Sequence, residues 1–392
     1  MNKLERIVGY PIFQIGVLVD MIKRHHNPSQ LFFFIPHYCT GGAEQVHLDI
    51  LHTFTENKPW VVLTHKSHND YHKAAMQQCA ELFEIGKYYN NQNRFFVKNF
   101  FIGYYSSLLC RHPRAIIINS LCSFLYDLLP TMKTGYLIDI FHGFYGVNTA
   151  MLIRSTPFLD RRILVSYRVR DELLAMYAKN GIDNEYNSRL KVIHNAVQVE
   201  DSPPTKEYSG GIKVVFVGRN SREKRYYLYE KTALECKHKC LPIRFYSIGS
   251  FTGTALVTCL GEIRTRKAIY EALSEFHILI LCSTSEGFGL VVAEAMACGL
   301  VPMATDCGGV AEIFTDGKTG HLIRAVNEDD IVTEFVELLQ HYAEDSELLK
   351  PMGLAAYNQV KANFSYAKFN QEYAAIIKEA RKSIDDGEVR TR

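Results

Sequence analysis

One stretch in the second half of the chain decides the fold: residues 277–299 read HILILCSTSEGFGLVVAEAMACG. Its first part, His277 to Leu281, is a continuous apolar run of strand length, which is typical of a strand buried on both faces of a parallel sheet. A polar loop with two glycines follows, and an alanine-rich apolar segment then predicts a helix over 289–299. A strand, a glycine-containing loop and a helix in this order indicate an open α/β sheet, in which ligands bind at the carboxyl ends of the strands.

The same alternation of short apolar runs and longer amphipathic segments extends along the chain and falls into two series. In the first series we expect strands near 31–36, 60–64, 115–119, 135–140, 162–166 and 191–193. In the second we expect strands near 213–218, 242–249, 277–281 and 301–305. Helices are predicted near 44–54, 223–238, 265–275, 289–299, 328–341, 345–362 and 367–382. A stretch with Pro, Ser and Gly at 201–212 separates the series, so the sequence predicts an α/β protein of two tandem Rossmann-like domains that face a cleft.

Charge excludes one large class of function. The 392 residues include 44 Lys and Arg against 42 Asp and Glu, a net charge of +2, which argues against a strongly basic nucleic-acid-binding protein. Residues 1–200 carry a net charge of +5 and residues 201–392 a net charge of −3. We therefore expect the first domain to meet any anionic partner.

The cysteines and the apolar runs predict the compartment. The ten cysteines include no C-x-x-C pair, and several lie in apolar runs, which is typical of reduced thiols in a cytosol. No secretory signal is recognised, and no apolar run reaches the roughly 18 residues of a membrane span, so we expect a cytoplasmic protein. Aromatic and basic residues at 99–105 and 141–162 leave two interpretations open, a peripheral contact of the first domain with the inner face of a membrane, or ordinary core and solvated charge.

Residues 277–299 also contain candidate ligand-binding residues. Gly287 and Gly289 allow a ligand to approach the backbone closely, and the free amides at the start of the following helix suit a phosphate. Glu286 lies at the tip of the loop, and Glu294 lies about one turn inside the helix, where a carboxylate can accept hydrogen bonds from the two vicinal hydroxyls of a ribose. For Glu294 the alternative is a carboxylate that merely stabilises the first turn of the helix.

Two cations follow the first strand of the second series. Arg219 and Lys224 can both neutralise pyrophosphate oxygens, the arginine as a fork and the lysine as a point charge. With the helix amides they could stabilise a leaving diphosphate without a metal. No D-x-D follows a strand to hold Mg²⁺, and we expect neither a metal nor another cofactor. The alternative for both side chains is a surface ion-pair set with Glu223.

These motifs, in their order and spacing, resemble the retaining glycosyltransferases of family 4, which have the two-Rossmann-domain GT-B fold. Glu286 and Glu294 resemble the family's Glu-(seven residues)-Glu signature. The resemblance covers about residues 31–370, and the further segments that carry it are Gly41-Gly42-Ala43-Glu44, His142-Gly143, Ile193-His194-Asn195-Ala196-Val197, Gly218-Arg219, Glu223-Lys224, Gly308-Gly309, Glu312-Ile313 and Asp316-Gly317-Lys318-Thr319-Gly320.

The resemblance implies roles and boundaries. It implies an acceptor-binding domain over 1–205, a nucleotide-sugar-binding domain over 206–365, and a C-terminal helix and tail over 366–392 that returns to the first domain. Arg219, Lys224, Glu286 and His142 are the implied catalytic residues, with His142 near the reacting carbon of the transferred sugar. The implied substrate-binding residues are Gly41, Gly42, Gly249, Ile263, Gly287, Phe288, Gly289, Leu290 and Glu294. For Gly41 and Gly42 the alternative is a plain strand–helix turn, and for His142 a structural histidine.

The chain departs from the family pattern at three places. The family's Pro-Asn-Gly is His194-Asn195-Ala196, its Lys-Gly is Lys224-Arg225, and Tyr366 stands where an aromatic residue, often Trp, follows Phe-Ser. None of these changes removes an implied catalytic group.

The expected activity is transfer of a sugar from a nucleotide diphosphate sugar, with UDP favoured, to a hydroxyl acceptor with retention at the anomeric carbon. We expect the acceptor to be a glycan or lipid-linked glycan of cell-surface polysaccharide synthesis. The alternatives are a sugar-nucleotide epimerase or a phosphorylase on the same fold, and a GT-B-like binding partner that has lost catalysis. The sequence does not identify the sugar, the linkage or the oligomeric state.

Overall fold

A computed structural model describes residues 3–23, 25, 29–39, 41–88, 93–120, 122–208 and 210–388, which fold around two parallel sheets. The strands of the first sheet are β1 (Leu31–Ile35), β2 (Trp60–Leu63), β3 (Glu81–Glu84), β4 (Ile116–Ser120), β5 (Tyr136–Phe141), β6 (Arg161–Leu164) and β7 (Leu190–Val192). Those of the second sheet are β8 (Ile212–Val217), β9 (Ile243–Ile248), β10 (Val257–Cys259), β11 (Ile278–Leu281), β12 (Val301–Thr305) and β13 (His321–Ile323).

Helices cover both faces of each sheet. They are α1 (Lys3–Lys23), α2 (Gly42–Thr53), α3 (Lys73–Cys79), α4 (Arg94–Cys110), α5 (Ser123–Leu128), α6 (Thr149–Ser155), α7 (Tyr167–Lys179), α8 (Tyr226–His238), α9 (Arg266–Ser274), α10 (Leu290–Ala297), α11 (Glu328–Glu344), α12 (Leu349–Asn363) and α13 (Tyr366–Asp385). Among the described residues no helix is both long enough and apolar enough to cross a bilayer.

The strand order places the functional loops. The first sheet runs β3-β2-β1-β4-β5-β6-β7 and the second runs β10-β9-β8-β11-β12-β13. Both orders reverse once, between β1 and β4 and between β8 and β11, and an open α/β sheet has its ligand crevice at this reversal. This topology confirms the predicted α/β architecture with two Rossmann-like sheets.

The buried strands hold each sheet between two apolar layers. Every residue of β1, β2, β4, β5, β11 and β12 is buried, in agreement with their mainly apolar sequences. The last helix, α13, packs Phe369, Tyr373 and Ile376 into the core of the first sheet. Its Glu379 and Asp385 form ion pairs with Arg161 and Arg114 of the first-sheet region. We propose a first domain that ends near 205 and a second that ends near 365, because these positions separate the two sheets and precede α13.

Several elements differ from the sequence expectation. The edge strands β3, β10 and β13 were not predicted, because they are short and only partly apolar, as in the sequence ELFE of β3. Six helices were also missed, namely α1, α3, α4, α5, α6 and α7. The predicted helix at 223 begins at Tyr226, because residues 222–224 form a separate 3-10 turn and Arg225 adopts a left-handed conformation with φ 47°.

Candidate active site

The loop between β11 and α10 holds its acidic tip in place with two contacts. Ser283 donates a hydrogen bond from Oγ to Glu286 Oε1 over 2.7 Å, and Lys224 Nζ lies 2.5 Å from the same oxygen. Both members of the ion pair are largely buried, with side-chain exposures of 15% for Lys224 and 13% for Glu286. The structure therefore brings together two residues that lie 62 positions apart and that the sequence assigned to one site.

Three of the four basic side chains in the segment after β8 have different surroundings. Lys224 points to the acidic loop, whereas the Arg219 side chain is 75% exposed and lies 3.4 Å from Glu223, so the ion pair considered as its alternative is present. Arg225 donates from Nε to the carbonyl oxygen of Cys282 over 2.6 Å. Its positive φ is a conformation that favours glycine, so the arginine at this position accepts backbone strain and in return anchors the loop that carries Glu286.

A chain of polar groups lies on the first-sheet side of the cleft. Ser120, the last residue of β4, lies between two histidines, with its Oγ 2.9 Å from His142 Nε2 and 2.7 Å from His47 Nε2. Burial lowers the pKa of His142 to about 4 and that of His47 well below its usual range. Both imidazoles are therefore neutral at pH 7, and His142 acts as a neutral hydrogen-bonding group.

The two sides of the cleft touch through glycines. A Cβ atom on Gly287 would lie 1.8 Å from the carbonyl oxygen of His142, so only glycine allows this approach. A Cβ atom on Gly42, the first residue of α2, would lie 3.9 Å from Leu290 Cδ2 at the start of α10. The predicted Gly41-Gly42 turn and the start of α10 therefore face one another, as a site between two domains requires.

Glu294 lies in α10 beside a network that crosses between the domains. Arg266 of α9 forms a two-pronged ion pair with Asp49 of α2 over 3.0 and 2.9 Å, and the hydroxyl of Tyr366 donates to Asp49 over 3.0 Å. Burial raises the pKa of Glu294 to about 7, an effect that Arg266 opposes and Asp49 reinforces. The ionised form of Glu294 therefore lowers the free energy of unfolding.

Because the buried Glu294 carboxylate is destabilising when it is ionised, we expect Glu294→Gln to stabilise the protein at alkaline pH. A folded-state pKa of about 7 against 4.5 unfolded means that stability falls as pH rises between these values, and that the loss is complete above pH 7. The neutral amide removes this loss, which is on the order of 3 kcal/mol. We expect thermal unfolding to show a higher midpoint for the variant at pH 8 and a much smaller difference at pH 5. An equal difference at both pH values would contradict the prediction.

Three other residues assigned to substrate binding lie in different surroundings. Gly249 directly follows β9 and has a φ of 143°, and a Cβ there would lie 2.1 Å from the carbonyl oxygen of Gly218. Ile263 is half-buried and packs against the core of the second sheet. The Phe288 side chain is 2% exposed and packs on the rings of His194 and Phe364, so only its backbone can face a ligand.

Glu312 and His194 belong to segments that resemble the family, but the sequence did not predict that they join the domains. Glu312 accepts hydrogen bonds from the amides of Tyr167 and Arg168 over 2.9 and 2.7 Å and lies 2.9 Å from His194 Nε2. Burial alone would raise the pKa of Glu312, but these contacts lower it. Glu312 therefore caps the start of α7 from the other domain, and His194, which replaces a proline of the family pattern, supplies a partner for that carboxylate.

The described residues contain no group of three or more His, Cys, Asp or Glu side chains arranged to hold a metal ion. Charged groups in this region include the Lys224–Glu286 pair, Arg219, Glu294 and the Asp49–Arg266 pair.

Comparison with known proteins identifies the domain that carries this loop. The family model for "Glycosyl transferases group 1" matches residues 251–359. The chain is a GT-B protein with a glycosyl transferases group 1 domain. The group 1 match includes Glu286, Glu294 and the whole of α10, and the GT-B fold follows from the solved structures below.

Relatives agree with this assignment over part of the chain. N-acetyl-alpha-D-glucosaminyl L-malate synthase of Bacillus anthracis is 31% identical over 121 residues, which are 31% of each chain. An uncharacterised glycosyltransferase of Methanocaldococcus jannaschii is 25% identical over 288 residues, covering 66% of this chain and 72% of that one. The chain spans between 23% and 51% of the length of three curated relatives that it matches, one of which is the Bacillus protein.

A solved structure extends the comparison to both domains. The HepE protein of Anabaena, crystallised in complex with UDP and glucose, superposes with a TM-score of 0.69 at 15% sequence identity. The superposition covers 89% of this chain and 99% of HepE. At this identity the similarity establishes the fold alone.

Proposed function

We propose that the protein is a metal-independent, retaining glycosyltransferase of family 4 that moves a sugar from a UDP-sugar to a hydroxyl acceptor. The observation that carries the proposal is the buried Lys224–Glu286 pair, which lies at the loop before α10 and opposite His142. A cation, a carboxylate and free helix amides converge there on one small volume between the two domains. This combination suits a substrate with a diphosphate and a polyhydroxylated ring.

The diphosphate is expected to bind in the second domain. Lys224 and Arg219 supply two positive charges, and Gly287 and Gly289 leave the backbone open at the N-terminus of α10. Donors fixed in place before the reaction stabilise the charge that develops on the leaving phosphate. Lys224 is already held by Glu286, so it is positioned before the donor arrives, whereas the exposed Arg219 must leave Glu223 to reach a phosphate.

The ribose, the base and the transferred sugar of the donor are also expected to bind residues of the second domain. Glu294 accepts hydrogen bonds from the ribose hydroxyls, and the backbone at Gly249 and Ile263 frames the base. Glu286 binds hydroxyls of the transferred sugar. HepE was crystallised with UDP and glucose, and this similarity of fold supports UDP as the nucleotide.

The first domain completes the reaction centre. His142 is neutral at pH 7, so its ring hydrogen-bonds the transferred sugar without repelling a developing positive charge at the anomeric carbon. The acceptor enters beside Gly41 and Gly42. It attacks from the face that the diphosphate leaves, its proton passes to the departing phosphate, and the new bond retains the anomeric configuration. The protein contributes charge stabilisation, orientation and closure of the cleft.

The acceptor is a glycan or a lipid-linked glycan of cell-surface polysaccharide synthesis, and the reaction takes place in the cytoplasm. The positive charge of the first half of the sequence supports an anionic, lipid-linked acceptor. Peripheral contact of the first domain with a membrane would bring such an acceptor to the cleft.

The test is a donor screen with chemical identification of the product. We expect UDP to raise the unfolding temperature by mass action, and a matched UDP-sugar to be consumed much faster when an acceptor is added. We also expect excess EDTA to leave the rate unchanged, because Arg219, Lys224 and the helix amides carry the charge stabilisation. Nuclear magnetic resonance of the product should show the donor's anomeric configuration.

Three outcomes would contradict the proposal. Interconversion of UDP-sugars without an acceptor would indicate an epimerase, and UDP binding without turnover over a broad acceptor panel would indicate a binding partner. Loss of activity in EDTA that added Mg²⁺ restores would contradict metal independence alone.

A further inference from the structure

The first helix presents its apolar side chains to solvent. Between residues 8 and 23 of α1 the exposed large apolar side chains are Val8, Tyr10, Ile15, Leu18, Met21 and Ile22, and the exposed polar side chains are Gln14 and Lys23. A surface helix of a globular protein in water has the opposite pattern, with polar residues outside. An apolar patch of this extent marks a surface that binds something.

Glycines let the inner face of α1 pack closely against α4. A Cβ atom on Gly16 would lie 2.0 Å from the carbonyl oxygen of Phe100, and one on Gly103 would lie 2.0 Å from the carbonyl oxygen of Phe13. The backbones of α1 and α4 therefore touch. Glycine contacts of this kind are common where helices associate in lipid and large apolar side chains face outward. Asp20 is buried and paired with Arg111.

A groove of about 700 Å³ continues this surface between α1, α4 and the edge strand β3. Its walls are mostly aliphatic and aromatic, and include Ile12, Phe83, Phe100 and Phe101. The segment 99–105, for which the sequence left both a membrane contact and ordinary core open, lies in α4 and contributes to this wall, while Tyr104 and Tyr105 are themselves buried.

The charge around the groove is positive. Lys23 and Lys87 line it, and Glu84, which also lines it, lies 3.0 Å from Lys73. The charged residues in or beside the groove thus include three lysines and one glutamate. A symmetric pair of chains would bring these lysines toward their own copies if this face were the contact, whereas lipid phosphates complement them.

We propose that the outer face of α1 and the adjoining groove bind an anionic lipid surface. The helix lies in the plane of the interface, with Ile15, Leu18 and Ile22 among the acyl chains and Lys23 and Lys87 at the lipid phosphates. The inference deepens the proposed function, because it names the surface that brings a lipid-linked acceptor to the first domain. It does not require catalysis, so a binding assay tests it separately.

The test is sedimentation with vesicles of phosphatidylcholine, with and without phosphatidylglycerol. We expect the wild-type chain to sediment with the anionic vesicles and less with neutral ones. The double variant Leu18→Glu, Ile22→Glu should bind the anionic vesicles roughly tenfold or more weakly, because two apolar side chains leave the lipid. Val326→Glu is the matched control, because Val326 is a 92% exposed apolar side chain outside this surface. An unchanged thermal midpoint and unchanged UDP binding establish that the variants are folded.

A second measurement reports insertion. In Leu18→Trp, a phospholipid with brominated acyl chains should quench the added tryptophan, whereas Val326→Trp should not respond. Equal sedimentation of wild type and the double variant would overturn the proposal, as would the absence of binding to anionic vesicles. A wild-type dimer that the double variant converts to a monomer, with no vesicle binding by either, would show instead that a second copy covers α1.

Discussion

Lys224→Ala is expected to lower kcat by roughly 10²–10³-fold, the usual effect of removing one preorganised group that stabilises developing charge. Lys224 is largely buried and is fixed by Glu286 and the loop before α10, so solvent cannot replace its charge. The loss should appear in kcat more than in KM, because the leaving diphosphate gains charge in the transition state. Steady-state kinetics with the matched UDP-sugar and acceptor measure both quantities.

The control for this prediction is Lys231→Ala. Lys231 lies in α8, two turns beyond Lys224, and its half-exposed side chain lies 3.8 Å from Asp329, so its loss should leave turnover near the wild-type value. Lys224→Met separates charge from packing, since it keeps most of the side-chain length, and it should be as inactive as the alanine variant. Near-normal turnover of purified, folded Lys224→Ala would count heavily against the proposed mechanism.

The sequence predicted the central strands and the loops at their ends because burial leaves a direct pattern. A strand covered on both faces is mainly apolar, and the polar residues that follow it mark the carboxyl edge of the sheet. Edge strands lack that constraint. Residues Glu81–Glu84 begin and end with exposed or half-exposed glutamates, and only the pairing with β2 makes them a strand.

Residues of the site were predictable where they lie near one another in sequence or match a family motif, as Lys224 and Glu286 do. The Asp49–Arg266 pair was not, because its members lie 217 positions apart. One signal was present: Asp49 falls on the buried face of α2 between Val46 and Ile50. A buried carboxylate requires a buried partner, but the sequence does not say which cation supplies it.

The spacing of apolar residues could not predict that α1 exposes large apolar side chains to solvent. The segment has apolar residues all round, and the glycines that choose its inner face are meaningful only beside Gly103 of α4. A periodic pattern shows that a helix has two faces, whereas the packing partner decides which face is buried.

The second large effect is expected from Gly287→Ala, which should lower kcat by about 10²-fold while UDP affinity changes little. The added methyl would lie 1.8 Å from the carbonyl oxygen of His142 and 3.4 Å from Val165 Cγ2. The loop with Glu286 and the loop with His142 would therefore have to separate by an ångström or more, and displacement on that scale costs about 10²-fold in rate when it misaligns reacting groups. The nucleotide should still bind, because Lys224 and Glu294 both belong to the second domain.

Backbone geometry makes this substitution a clean test of contact between the domains. Gly287 is not among the glycines with positive φ, so alanine introduces no conformational strain, and the clash with the other domain is its main consequence. Gly253→Ala is the control, because a Cβ there would lie 3.6 Å from its nearest neighbour and φ is again not positive. If Gly287→Ala kept the wild-type kcat, the two loops would not need to touch in the reacting state, and His142 would lose its proposed place beside the transferred sugar. If instead UDP affinity fell as far as kcat, the substitution would have disturbed the diphosphate site itself. The proposal that the second domain binds the nucleotide and the first completes the reaction centre would then be wrong.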